Sequence, residues 1–135
     1  MPDDAPCSVP AEHDPEVTRA VYRACVDLDV SSKVRLAAFE AGWVESHMNN
    51  LACGDQDSVG VFQQRPSQGW GTVEQCGDVP HATASFLRRA VDEDRRNPGW
   101  TAGRLAQAVQ RSSHPERYDQ AEAKARSLIE EAQDA

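Results

Sequence analysis

Apolar residues recur along this chain at three- and four-residue spacings, which is the period of a buried helical face. Asp14-Pro15-Glu16 reads as an N-cap, a proline in the first turn and an early acid. Behind it Val17, Ala20, Val21, Ala24, Cys25 and Leu28 form one stripe. Ser31 and Ser32 precede a second run, where Val34, Ala37, Ala38, Ala41, Val44, Met48 and Ala52 keep the helical step. Leu36, Phe39 and Trp43 occupy its other side, so this helix is apolar nearly all round and belongs in the core. Asn49 and Asn50 are its expected terminators, because Asn tolerates the left-handed conformation that ends helices.

Further along, Thr72-Val73-Glu74-Gln75 matches a capping box and predicts one short helical turn ending near Cys76-Gly77. Asp78 should cap a helix over 79–96, with Ala82, Phe86, Leu87, Ala90 and Val91 inward. Its Arg88, Arg89, Asp92, Glu93, Asp94, Arg95 and Arg96 read as a solvated face, and Asn97-Pro98-Gly99 stops it. Thr101 should cap a helix over 102–112, burying Leu105, Ala106, Ala108 and Val109. Ser113-His114-Pro115-Glu116 opens a last helix, with Tyr118, Ala121, Ala125, Leu128, Ile129 and Ala132 as its stripe. The pattern gives no strand, repeat or linker. The expected architecture is all-α, about five main helices in one domain over 14–135, after an irregular segment over 1–13 with prolines at 2, 6 and 10.

One residue breaks the apolar logic of the second helix. Val34, Ala38, Ala41, Glu45 and Met48 step by four and three, so Glu45 lies within the apolar stripe. Glu40 sits roughly 140° around the helix from it, at ~100° per residue. A carboxyl on the inner stripe is desolvated, and desolvation favours its protonated form. A general acid toward a glycosidic oxygen needs that state at neutral pH. The alternative is a buried structural acid paired with an arginine.

The segment after this helix is dense in sugar-compatible chemistry. Asp55 to Pro66 holds two acids, three glutamines, Gly60 and Arg65. Amides both donate and accept, which suits sugar hydroxyls and N-acetyl groups. Gly60 would let the backbone approach closely, and Val61 and Phe62 would anchor the loop to the core. Glu45-Ser46 followed by Gly60-Val61-Phe62-Gln63 resembles the Glu-Ser and Gly-Leu-Met-Gln motifs of soluble lytic transglycosylases and goose-type lysozymes. The run Gln64-Arg65-Pro66-Ser67-Gln68-Gly69-Trp70-Gly71 is similar to lysozyme-like domains of secreted bacterial cell-wall proteins.

That resemblance spans Val34 to Tyr118 and implies a lysozyme-like helical fold, with a small hairpin in the Asp55–Arg65 region in some relatives. It implies cleavage of β-1,4 linkages in peptidoglycan with Glu45 as acid, and glycan contacts from Ser46, Gln63, Gln64, Arg65 and Trp70. Trp70 could instead plug the loop into the core. The family's Ala-Tyr-Asn motif falls at Ala108-Val109-Gln110, where Gln110 stands for Asn and Val109 for Tyr. Tyr118, in Pro115-Glu116-Arg117-Tyr118, matches the later Tyr motif that would point a hydroxyl at Glu45, unless it is a plain core residue. A transglycosylase needs no second carboxylate, whereas a hydrolase needs a base or nucleophile across the bond. Asp57 is the preferred second group, and Asp55 reads as an Asx-turn residue.

Composition narrows the remaining classes. At 135 residues with 27% charged and 6% aromatic, the chain is one ordinary globular domain, expected to be a monomer. Its net charge of −8 argues against a nucleic-acid partner and suits an anionic glycan only if arginines such as Arg65 and Arg111 line the cleft. No apolar run is long enough to span a membrane. His13, His47, His81 and His114 have no ligand spacing, so neither a metal nor another cofactor is expected.

Cys7, Cys25, Cys53 and Cys76 fit no zinc pattern, and three pairings are open to them. Cys7–Cys25 with Cys53–Cys76 is the favoured set, implying a secreted, wall-associated protein whose signal peptide lies outside this sequence. Two other functions fit the same chain. One is a non-catalytic wall- or protein-binding helical domain. The other is a chitosanase- or chitinase-like glycosidase, since an acidic protein suits cationic chitosan.

Overall fold

In the computed structural model, residues 7–135 are described; the first six residues of the expected irregular segment lie outside them. Seven helices follow in order: α1 (Pro15–Asp27), α2 (Ser32–Ser46), α3 (Val73–Cys76), α4 (Val79–Arg96), α5 (Ala102–Gln110), α6 (Glu116–Gln120) and α7 (Glu122–Asp134). A single 3-10 turn, Pro66–Gln68, interrupts the loop between α2 and α3. The described residues contain no strand, so the all-α expectation holds. One antiparallel bridge, Val59 with Gln64, stands where a hairpin was expected. None of the described helices is long and apolar enough to cross a membrane.

Local chemistry explains most boundaries. Asp14, Ser31, Thr72, Asp78 and Thr101 each accept a hydrogen bond from a first-turn backbone N–H of the helix they start. Thr72 and Gln75 complete the capping box reciprocally. Two ends differ from the sequence expectation. Helix α2 stops at Ser46, and the left-handed residues are His47 (φ 53°) and Met48 (φ 60°), not Asn49 or Asn50. Tertiary contacts decide this: the His47 ring stacks on Trp43, its Nδ1 contacts the Pro10 carbonyl oxygen at 2.8 Å, and Met48 is fully buried. The last helix is broken in two at Ala121, whose N–H is shared between the Arg117 and Tyr118 carbonyls.

Helix α2 is the axle of the fold. It contacts α1, α4, α5, α6 and α7, and nine of its residues are buried. Val21, Phe39, Phe86, Leu87, Leu105 and Leu128 close around it. Phe62, from the loop, stacks on Phe86 of α4 with ring centroids 5.1 Å apart, and Val61 beside it is fully buried. The loop is thus pinned to the same core as the helix that carries Glu45.

The cysteine pairing differs from expectation. Cys7 bonds Cys53, while Cys25 and Cys76 are free and buried. The reason is the path of the N-terminal strap, which crosses the end of α2 rather than running beside α1. Asn49 donates to the Glu12 carbonyl at 3.0 Å, and the Asp14 N–H donates to the Met48 carbonyl at 3.4 Å. Cys25 faces the core, where burial pushes its thiol up to about 12.

Candidate active site

The loop between α2 and α3 is held in shape by its own side chains before it offers anything to a ligand. Gly60 has φ 89°, and a Cβ there would lie 2.2 Å from the Cys76 carbonyl oxygen, so only glycine fits. Gln63 takes a left-handed backbone (φ 52°) and donates to the Cys53 and Gly60 carbonyls at 3.1 and 3.0 Å. Gln64 is buried and donates to the Ala82 carbonyl of α4 at 2.9 Å. Its Oε1 is buried without a partner among the described residues. Ser46 is also buried and donates to the Gly42 and Val61 carbonyls at 3.1 and 2.7 Å, tying helix to loop rather than facing a ligand.

Together these contacts leave an open cleft of about 730 Å³ between the loop, α4 and the end of α5. Glu45, Asp55, Gln63, Gln64 and Arg65 line it from the α2 side, with Trp70 beside them. Arg89, Gln110, Arg111 and Ser112 line it from α4 and α5. Arg111 ends α5 with φ 54°, which turns the chain into the cleft wall.

Glu45 is half-buried at the helix end. Its Oε2 accepts from the Tyr118 hydroxyl at 2.8 Å and from the Gln110 amide at 3.2 Å. Gln110 also donates to the Phe62 carbonyl at 2.8 Å, so one amide bridges the carboxyl and the anchored loop. Burial pushes the Glu45 carboxyl above its ordinary value, opposed by the two hydrogen bonds and by Arg117. Tyr118 is fully buried, and burial together with Glu45 raises its hydroxyl further, so it stays a donor. Both neighbours act on Oε2, and Oε1 has no hydrogen-bond partner among the described residues. The arrangement presents a carboxyl raised by burial, with hydrogen bonds on one oxygen and the other unengaged among the described residues.

The structure separates the two aspartates in a way sequence did not. Asp57 accepts from Arg65 Nε at 2.6 Å and from the Ser67 N–H at 2.8 Å, and these partners hold it well below the usual carboxylate range. It is a loop clasp and is not among the residues lining the cleft, whereas Asp55 is. Arg65 is correspondingly engaged by Asp57, although it still lines the cleft.

Arg89 was read from sequence as part of a solvated face. It is indeed exposed, and its guanidinium also lies over the Trp70 ring, 3.5 Å from the centroid, at the wall of the cleft. The signal was its position three residues after the buried Phe86, on the same side of α4. Burial and the charge of Arg111 lower the Arg89 pKa, so two cations share this part of the wall. Trp70 is half-buried, one face against Arg89 and its body packed on the core. No protein-family model matches this chain, and no curated protein matches it.

Proposed function

We propose that this protein cleaves the glycan strands of peptidoglycan, with Glu45 as the general acid. The observation that carries the reading is Glu45 itself: a carboxyl raised by burial, steadied on Oε2 by Tyr118 and Gln110, at the floor of a polar cleft. A glycan laid along the cleft would bring its glycosidic oxygen to Oε1. Proton transfer from Glu45 to that oxygen would release the leaving sugar, and the two hydrogen bonds would stabilise the carboxylate that remains. Gln63 would form the polar floor, with the buried Gln64 behind it fixing the loop to α4.

The cleft charge favours an anionic glycan over cationic chitosan. The chain carries −8, yet Arg89 and Arg111 meet in this cleft. They would attract the carboxylates of a wall glycan and repel an ammonium-bearing polymer. With Asp57 engaged by Arg65 and Ser67, the reading rests on one catalytic carboxyl, and Asp55 is the acid left to assist a water. Secretion and association with the cell wall belong to the same proposal, supported by the Cys7–Cys53 bond, which persists in oxidising surroundings.

Mass spectrometry of products from purified peptidoglycan, with wild type and Glu45→Gln side by side, tests this. Anhydro-muramyl ends that vanish in the variant mean a transglycosylase. Reducing ends that vanish mean a hydrolase, and Asp55→Asn would then lose activity too. Wild type that binds the polymer and never cleaves it would overturn the catalytic reading in favour of a binding domain.

A further inference from the structure

We propose that a second cavity, on the side of α2 away from the cleft, binds an organic ammonium ion between Glu40 and Asp119. The cavity measures about 320 Å³ and lies between α2, the start of α5 and the α6–α7 corner. Leu36 and Glu40 line it from α2, Ala102 from α5, and the exposed Asp119, Glu122 and Arg126 ring its mouth.

Glu40 is the anomaly that asks for a ligand. It is 0% exposed, and neither carboxyl oxygen has a hydrogen-bond partner among the described residues. Buried carboxyls are ordinarily satisfied by a donor, because an unpaired one forfeits its hydration with nothing in return. The other charges around the cavity are already engaged. Lys33 of α2 pairs with Asp94 of α4 at 2.6 Å and donates to the Pro98 and Trp100 carbonyls. Arg126 of α7 pairs with Glu122 at 2.8 Å. Asp119 of α6 accepts only a long 3.5 Å contact from Thr101, the N-cap of α5. Glu40 at the floor has Arg126 as its attracting charge but no hydrogen-bond donor, and Asp119 at the mouth has no ion pair among the described residues.

The ligand that answers this arrangement is cationic and organic. Among the described residues no three His, Cys, Asp or Glu side chains are set to hold a metal ion. A diamine carries an ammonium for each carboxyl and the donors that Glu40 lacks. Arg126 and Glu122 at the mouth are exposed, and surface side chains change rotamer within nanoseconds. The repulsion of Glu40 by Asp119 and Glu122 would become attraction through the bound cation.

The probe is putrescine, added to the whole chain at neutral pH, with sodium chloride and magnesium chloride matched in ionic strength. The unfolding temperature of wild type should rise with putrescine and not with either salt. Glu40→Gln and Asp119→Asn should each weaken that response at least tenfold in half-saturating concentration. Glu40→Gln keeps the shape of the neutral acid and Asp119 is exposed, so both variants should fold. Calorimetric titration in two buffers of different ionisation enthalpy should show a proton released as putrescine binds wild type, and none with Glu40→Gln. A wild-type response retained in either variant, an equal response to magnesium, or no response in wild type would each overturn the proposal.

Discussion

Replacing Glu40 by Gln should stabilise the protein, and by an amount that depends on pH in a way no simple packing effect would imitate. Burial, then Asp119 and Glu122, push the Glu40 carboxyl from 4.5 up to about 8, with Arg126 opposing. The unfolded chain releases this proton near pH 4.5, while the folded chain holds it until about pH 8. Between those values the native state binds one proton more than the unfolded state. Its stability therefore falls by about 1.4 kcal/mol per pH unit from this group alone. Below pH 4.5 the penalty is absent; above pH 8 it is complete, and flat. The Gln side chain has the shape of the protonated acid and cannot ionise. Wild type and Glu40→Gln should thus lie within about 1 kcal/mol of each other at pH 5, since both bury one unpartnered polar group. At pH 8 the variant should be more stable by about 3–4 kcal/mol. Glu45 titrates identically in both proteins and cancels in the difference. Urea unfolding at pH 5, 6, 7 and 8 measures this directly. A difference that stays constant across that range would mean that Glu40 is not neutral in the fold, and the reasoning would fail.

Three further outcomes follow from other contacts. Tyr118→Phe removes a hydrogen bond that lowers the Glu45 pKa, so the alkaline limb of the pH–kcat profile on peptidoglycan should move upward while kcat falls; an unmoved limb would separate Tyr118 from the carboxyl. Cys7→Ser opens a loop with a sequence separation of 46, which the chain-entropy relation values at about 4 kcal/mol, read as a lower urea midpoint that reductant does not lower further. Gly60→Ala puts a Cβ 2.2 Å from the Cys76 carbonyl oxygen at φ 89°, so it should lose more than about 1 kcal/mol of stability and weaken glycan binding in a sedimentation assay.

Much of the scaffold could be read from the chain because its signals are local. Asp14, Ser31, Thr72, Asp78 and Thr101 cap helices through side chains acting within three residues of themselves. The apolar stripe of α2 revealed a core helix and put Glu45 inside it, since helical period translates directly into direction. What escaped was decided across space. The left-handed turn at His47 depends on Trp43 and on a strap 37 residues away. The Cys7–Cys53 pairing depends on where that strap crosses α2. Asp57 and Asp55 are two residues apart with similar neighbours, and only the position of Arg65 and the Ser67 N–H tells clasp from cleft wall. Arg89 sits in an exposed run of charges, and only the position of Trp70 marks it as part of the cleft wall.

Helix α2 carries two buried acids, five residues apart, and their surroundings divide the work between them. Glu45 has Tyr118 and Gln110 on one oxygen, which steady the carboxylate and so hold back the rise that burial imposes. That balance keeps a carboxyl able both to give a proton and to bear the charge afterwards. Glu40 has no such donors among the described residues, and its nearest charges are mostly of its own sign, so only Arg126 opposes the rise. An acid in that state only costs stability, and an alanine or leucine would serve a plain core better. The same helix therefore sets a boundary between two solvent-reaching cavities, one ringed by arginines and one by carboxylates. On the proposals made above, the first would take an anionic glycan and the second an organic cation, and α2 lines both. A ligand that ionises Glu40 would place a new charge pair on α2 five residues before Glu45. If that pair reaches the cleft, putrescine should shift the pH–kcat profile of wild type and leave that of Glu40→Gln where it was. A profile unmoved in both proteins would make the two cavities electrostatically independent.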